Sequence, residues 1–243
     1  MHIIKLNAID STNSYLKKLS TQEALDDFTI VMTEAQLEGR GQMGSVWTSK
    51  SSKNLTFSVY KKFSGLEFQH VFYISIATSL ALVKSLQFFS IPKLAIKWPN
   101  DILAENKKIC GILIENMMRN QTVSNSIIGM GLNVNQTEFE NLPKASSLKL
   151  ITGDVYNIDE LAILIVNNLK IYFNKLNQGQ FEDLKFEYED LLFRKNKPST
   201  FKDAEGSMFS GIIKGVSNYG NLQVLLEDDI IKEFSLKEIT LLY

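Results

Sequence analysis

Cysteine and histidine are nearly missing from this chain, and their scarcity removes several kinds of chemistry. The one cysteine, Cys110, can form neither an internal disulfide nor the thiolate cluster of a structural zinc site. The two histidines, His2 and His70, stand far apart with no ligand pattern around either. Neither a histidine-centred metal site nor a Ser-His pair is expected, and no metal ligands are assigned. Net charge is only −1, so no chain-wide field draws the protein to nucleic acid or to an anionic membrane. Only a local basic pocket is left open. The opening residues, MHIIKLNAIDSTN, lack the apolar run of a signal peptide. The longest apolar stretch, YISIATSLALV (73–83), is short for a bilayer span and is broken by Ser and Thr. A cytoplasmic protein with no membrane partner is expected.

What is present suits a globular protein of one full domain and a small appendage: 243 residues, 44% of them hydrophobic. Strands are predicted at 2–6, 27–35, 54–60, 94–98, across 102–116 with a tight turn near Asn106–Lys107, and at 126–135. Helices are predicted at 10–19, 69–89, 159–176 and 180–193, the second apolar all round and therefore buried. The mixture, with antiparallel hairpins instead of repeated β-α-β units, is an α+β pattern. A polar connection spans 193–206 and contains Pro198. Short strands follow in MFSGIIKGV, LQVLLED and IIKEFSL, with turn chemistry at Asn218–Gly220 and Asp228–Asp229, as in a small β-barrel. The expected division is 1–193 and 194–243.

The stretch EGRGQMGSVW (38–47) spaces Gly39, Gly41 and Gly44 as G-x-G-x-x-G. In a dinucleotide-binding unit those glycines open a helix. Here they lead into SVWTSKSSKN, which has no apolar helical stripe, and no Gly-Lys-Ser/Thr follows to make a Walker loop. The stretch then reads either as a plain glycine-rich hairpin with Trp47 in the core, or as an amide-rich loop whose Arg40 grips an anion. Two further stretches bear on the choice. KWPND (97–101) puts Lys97 at the end of an apolar strand, where it either snorkels to water or serves a site. KKICGILIE (107–115) puts Gly111 in mid-strand, marking either a bulge or close approach by a ligand.

In this order, from DSTN (10–13) through TEAQLEGRGQMGSVW, KWPND and KKICGILIE to GMGLNVN (129–135), the chain resembles the biotin protein ligases (biotin–[acetyl-CoA-carboxylase] ligases). KWPND followed by K-x-x-G-I-L-x-E is the specific part. The resemblance implies an α+β fold, a mixed β-sheet flanked by helices as in class II aminoacyl-tRNA synthetases, with a small C-terminal SH3-like barrel. It implies that biotin and ATP, with substrate-associated Mg²⁺, give biotinyl-5′-AMP, which a lysine of a biotin carboxyl carrier protein then attacks. Matched by position, Ser11, Thr12, Asn13, Gln36, Gly39, Arg40, Lys97 and Gly111 fall on the biotin side. Arg40, Gly41, Gln42, Trp47, Lys97, Asn100 and Asn133 fall on the ATP side, with Arg40 and Lys97 as the catalytic cations. Asp101 either accepts a proton or positions a turn.

Family members commonly read GRGRxG, whereas this chain has Gln42 and Met43, a hydrogen-bond donor without a charge. The chain also begins almost at DSTN, so the short form of the family, lacking a DNA-binding domain, is expected, as monomer or homodimer. Lipoate or octanoate transferases of similar fold, and a biotin-binding protein without turnover, are the alternatives. The implied chemistry accounts for the basic residues. Carboxylate attack on an α-phosphate sets two anions about 4 Å apart, a repulsion of roughly 4 kcal/mol at an effective dielectric near 20. Fixed cations and loop amides offset such a term without covalent catalysis.

Overall fold

The computed structural model describes residues 2–243. Strands apolar at alternate positions need a cover on one face, and those apolar throughout need it on both. The chain meets both demands with one central sheet. In order, the elements are β1 (His2–Ile9), α1 (Thr12–Gln22), β2 (Thr29–Gln36), β3 (Leu55–Glu67), α2 (Phe72–Phe88), β4 (Ala95–Lys97), β5 (Asp101–Ala104), β6 (Lys107–Arg119) and β7 (Thr122–Leu132). Next come α3 (Leu148–Thr152), α4 (Ile158–Asn177) and α5 (Phe181–Asp190), then β8 (Pro198–Asp203), β9 (Met208–Val216), β10 (Leu222–Leu225), β11 (Ile231–Phe234) and β12 (Ile239–Leu242).

Seven strands form the first sheet in the order β1-β2-β3-β7-β6-β5-β4. Only β1 and β2 are parallel; every other neighbour is antiparallel. The expected mixed sheet is therefore present, with longer central strands than the sequence pattern indicated. β6 and β7 continue to a tight turn at Asn120 and Gln121, both left-handed (φ 49° and 64°), so their polar ends pair as a hairpin although the apolar pattern has faded. One face of the sheet packs against α2 and α4, burying Phe57, Ile112, Met130 and Leu132 in the main core. The other face carries α1, whose Leu16 joins Val31, Tyr60 and Ile127 in a smaller cluster.

The long apolar helix is longer than the stretch 73–83 suggested. With the 3₁₀ turn before α2 it spans Phe68–Phe88, 21 residues, long and apolar enough to cross a bilayer, yet 67% of its most apolar window is buried inside the protein. Two of its hydroxyls turn back on their own helix, Thr78 Oγ1 donating to the Ile74 carbonyl and Ser85 Oγ to that of Ala81, each at 2.7 Å.

The predicted connection at 193–206 hides a strand. β8 begins at Pro198, a first-residue position where the missing N–H costs no ladder bond. β8 pairs with β12, which also lay outside the predicted strands, and the five strands run β11-β10-β9-β8-β12, all antiparallel. The helix expected to reach 193 stops at Asp190. Residues 191–193 instead line the β4 edge, where Ile96 N–H donates to the Leu191 carbonyl and Phe193 N–H to that of Ile96, each at 2.8 Å. That pairing covers an otherwise open strand edge.

The two sheets meet in a fitted seam. Trp98 Nε1 donates to the Gly220 carbonyl at 2.8 Å, and Phe72 lies where a Gly220 side chain would stand. Val216 N–H donates to Glu189 at 3.0 Å. The hydrophobic core runs through the seam without a break, from Ile96 and Tyr188 to Phe201, Val216 and Val224. Gly220 also has φ +88°. Gly220→Ala is therefore expected to lose about 2–4 kcal/mol of stability, from left-handed strain plus overpacking against Phe72. A lower urea midpoint with unchanged slope would show it; an unchanged midpoint would contradict the fit of the seam.

Candidate active site

Cross-strand partners share a face, and one row of partners crosses most of the central sheet. Lys97 pairs with Asp101, Asp101 with Gly111, Gly111 with Gly131, and Gly131 with Thr56. All five line one cavity of about 650 Å³ on the face that carries α1. Charged residues hold one end of the row, a hydroxyl holds the other, and two glycines leave the middle bare. The bare floor is occupied by the Trp47 ring, which a side chain at Gly131 would overlap; a Cβ at Gly111 would lie 3.0 Å from its Cζ3. The indole N–H of Trp47 is buried there without a hydrogen-bond partner.

One end of the cavity is a network of uncharged polar groups. Ser11 caps α1, accepting a hydrogen bond from the Ser14 amide at 3.4 Å. Thr12 N–H donates to Gln36 Oε1 at 3.0 Å, fixing the amide so that Nε2 is its free donor. Ser58 is fully buried, with its Oγ 2.7 Å from Thr12 Oγ1 and 2.6 Å from Asn13 Oδ1. Asn13 sits in the gap left by Gly129 and donates to the Leu113 carbonyl at 3.3 Å and to Glu115 Oε2 at 2.9 Å.

The glycine stretch is a small hairpin, not the start of a helix. Trp47 N–H donates to the Gly39 carbonyl at 2.9 Å, Gly41 N–H to Ser45 at 2.7 Å, and Arg40 bridges to Val46. A single 3₁₀ turn, Gln42–Gly44, forms the tip, with Met43 at φ 60° and Gly44 at φ 81°. The first two glycines allow close chain packing: a side chain at Gly39 would strike the Trp47 carbonyl, and one at Gly41 the Ser45 hydroxyl.

Two lysines gather at the other end. Arg40 lies apart from them, its Nη2 3.0 Å from the Glu115 Oε2 that also accepts from Asn13. Asp101 stands between two ammonium groups, Lys108 at 2.6 Å from Oδ1 and Lys97 at 3.4 Å from Oδ2. Lys108 also lies over the Trp47 ring, 5.5 Å from its centroid, and Lys97 is 5.7 Å from the Tyr243 ring. Burial, and secondarily the Asp101 carboxylate, raises the Tyr243 phenol above its ordinary pKa. The wall facing the row comes from the second sheet, through Leu236, Lys237, Ile239 and Thr240.

The sequence model of the Biotin/lipoate A/B protein ligase family matches residues 6–133, more than half of the chain. The chain belongs to that family. Among curated relatives, the bifunctional ligase/repressor BirA of Bacillus spizizenii is 27% identical over 242 residues, covering 96% of this chain and 72% of that protein. The biotin–[acetyl-CoA-carboxylase] ligase of Mycobacterium tuberculosis is 33% identical over 141 residues, covering 57% of this chain and 51% of that one. Among solved structures, the biotin protein ligase from Aquifex aeolicus in complex with biotin and ATP is 26% identical with a TM-score of 0.81, covering 99% of this chain and 98% of that one.

Of the positions singled out in this family member, Ser11, Thr12, Asn13, Gln36, Arg40, Gly41, Gln42, Trp47, Lys97, Asn100 and Gly111 all line the one cavity. Two do not. Gly39 lies at the hairpin base, where it serves packing. Asn133 is 3% exposed and donates to the Ser146 carbonyl at 3.0 Å, holding the loop that follows β7. Asn100 lines the cavity while donating to the Ile112 carbonyl at 2.9 Å. Sequence reasoning assigned no role to Lys108, Glu115, Thr56 or Ser58. The first two were visible as the ends of K-x-x-G-I-L-x-E; the others needed the sheet register. Cys110 is fully buried on the opposite face, and burial pushes its thiol well up, so it is packed and not poised as a nucleophile.

The bare floor can be tested directly. Gly131→Ala should expel the Trp47 ring, giving red-shifted fluorescence in a protein with unchanged far-ultraviolet circular dichroism. Unshifted emission in the folded variant would show that the ring does not rest on that glycine.

Proposed function

We infer that this protein is a biotin–protein ligase, which joins biotin to a lysine of a biotin carboxyl carrier domain through biotinyl-5′-AMP made from ATP. The observation that carries this reading is the single cavity that joins an uncharged hydrogen-bonding end to an end held by two lysines, with Arg40 on its wall. It lies on a chain that aligns over nearly its whole length with a ligase solved with biotin and ATP. A ureido ring needs neutral donors and acceptors, which Ser11, Thr12 and the oriented Gln36 amide offer. Its carboxylate then extends toward the cations, and Trp47 beside them offers an aromatic face to adenosine. Residues up to 193 carry this chemistry, and the sheet of 194–243 closes the cavity from outside.

Lys97 and Lys108 flank the space where a carboxylate would meet an α-phosphate, and Arg40 reaches it from the hairpin on the same cavity wall. Each offsets anion–anion repulsion, and Asp101 fixes both ammonium groups so that little reorganisation is needed. Mg²⁺ would supply further charge neutralisation on the triphosphate. The protein's own donor set does not fit a resident cation: Asp101 is the one carboxylate lining the cavity and faces lysines on both oxygens. Magnesium thus belongs to the nucleotide. In the second step the acceptor lysine must be neutral, which from a pKa of about 10.4 costs roughly 4–5 kcal/mol at pH 7. Two fixed ammonium groups nearby favour the neutral form of an incoming amine, so the same pair assists both steps.

Biotin-dependent ATP–pyrophosphate exchange tests the activity, with exchange expected for biotin and none for lipoate. Exchange with lipoate would overturn the substrate assignment, and biotin binding without exchange would overturn the ligase. Lys108→Met and Lys97→Met should each lower the exchange rate at saturating substrate by about 100-fold, the usual cost of one transition-state electrostatic partner. A variant with normal turnover would remove that lysine from the mechanism.

A further inference from the structure

The glycine loop is held to the rest of the molecule by few ties. From Gly39 to Trp47 its backbone hydrogen bonds are internal, running Trp47 to Gly39, Gly41 to Ser45 and Ser45 to Gln42. Two of its side chains rest on the sheet, the Trp47 ring on Gly111 and Gly131 and the Arg40 side chain on Glu115, while the Gln36 amide abuts Gly39 at its base. Glu115 lies on β6 two places beyond Leu113 and four beyond Gly111, hence on the same face, but outside the cavity wall. Its Oε2 accepts from Arg40 at 3.0 Å and from Asn13 at 2.9 Å, while Lys17 of α1 stands 3.9 Å from Oε1. One carboxylate therefore ties the cationic loop to the first turn of α1, which carries the uncharged end of the site.

We propose that Glu115 is a positioning residue: its carboxylate sets Arg40 against the cavity before substrate arrives and couples the loop to Asn13. This rests on the assignment of Arg40 to the reacting anions. Glu115 is only 23% exposed at the side chain and Arg40 45%, so the pair is partly solvated and its strength modest. Its effect comes from location, at a loop with one other side chain resting on the sheet. A flexible arginine without this partner explores many rotamers, and the transition state would have to order it. Asn13 is bonded on both of its amide atoms, so movement of Glu115 also releases the amide that packs on Gly129.

The test is Glu115→Gln, which keeps shape and an acceptor for Asn13 but removes the charge. In the ligand-free protein, amide hydrogen exchange at 39–47 should rise by up to about fivefold, the upper range for a partly exposed ion pair. Unchanged exchange there would overturn the tie, whatever Arg40 does in turnover. In pyrophosphate exchange, Glu115→Gln should lower kcat/KM for biotin by about fivefold. In an Arg40→Gln background it should cause no further loss. Multiplying losses would show that Glu115 does not act through Arg40, and a faster Glu115→Gln enzyme would show that it competes with substrate. If Arg40→Gln alone left exchange unchanged, the assignment of Arg40 would fail while the loop measurement still judged the tie.

Discussion

The arrangement of this site depends on two glycines that face each other across β6 and β7. In a sheet every second residue must point to the same side, so a flat floor for a ligand requires side chains to be absent at matched registers. Gly111 and Gly131 are such a pair. An alanine at Gly131 would overlap the Trp47 ring, and one at Gly111 would press on its edge. With the ring displaced, the Lys108 ammonium over it would lose its aromatic partner as well. The opposite side of the same strands, with Cys110, Ile112, Met130 and Leu132, is closely packed core. Strands as thin as glycine on one face are thus stiffened by full burial on the other.

Charge placement follows from the same register. Lys97, Asp101 and Gly111 are consecutive partners across three strands, so the acid is set between a lysine of its own hairpin and one reached from β6. Two ammonium groups held by one carboxylate leave a net positive end on a protein whose total charge is −1. A field for an anionic substrate is therefore made locally by geometry and not by composition, and it acts only within the cavity, where screening is weakest.

Much of the sheet was legible because its strands are short apolar runs bounded by turn residues. The hairpin at Asn106–Lys107, the buried helix and the turns at Asn218–Gly220 and Asp228–Asp229 all follow from local chemistry. What was not legible follows from tertiary pairing. β8 has Phe201 as its one large apolar residue and β12 is only four residues long, so both gain their strand form from pairing, and α3 is a five-residue helix with little periodicity of its own. In the site, the fold brings EGRGQMGSVW and KWPND to one cavity. The resemblance set Arg40 and Lys97 foremost and left Lys108 without a role. The register gives Lys108 an equal place, since three residues before Gly111 its chain reaches back over the floor toward Asp101. Asn133, an amide in a glycine-rich motif, lies outside that cavity and donates to the loop that follows.

KWPND also explains why the second sheet belongs to the site. Lys97, Asn100 and Asp101 line the cavity, and Trp98, next to Lys97, donates its indole N–H to Gly220 across the seam. The same five residues therefore set the charged end of the cavity and dock the sheet that supplies its far wall, through Leu236 to Thr240. A shift of that sheet would be felt first by the backbone that carries Lys97. The continuous core through the seam opposes such a shift, so the position of the lysine is determined by both sheets together. On the proposed reading, the small second sheet contributes to catalysis chiefly by fixing where one ammonium group stands.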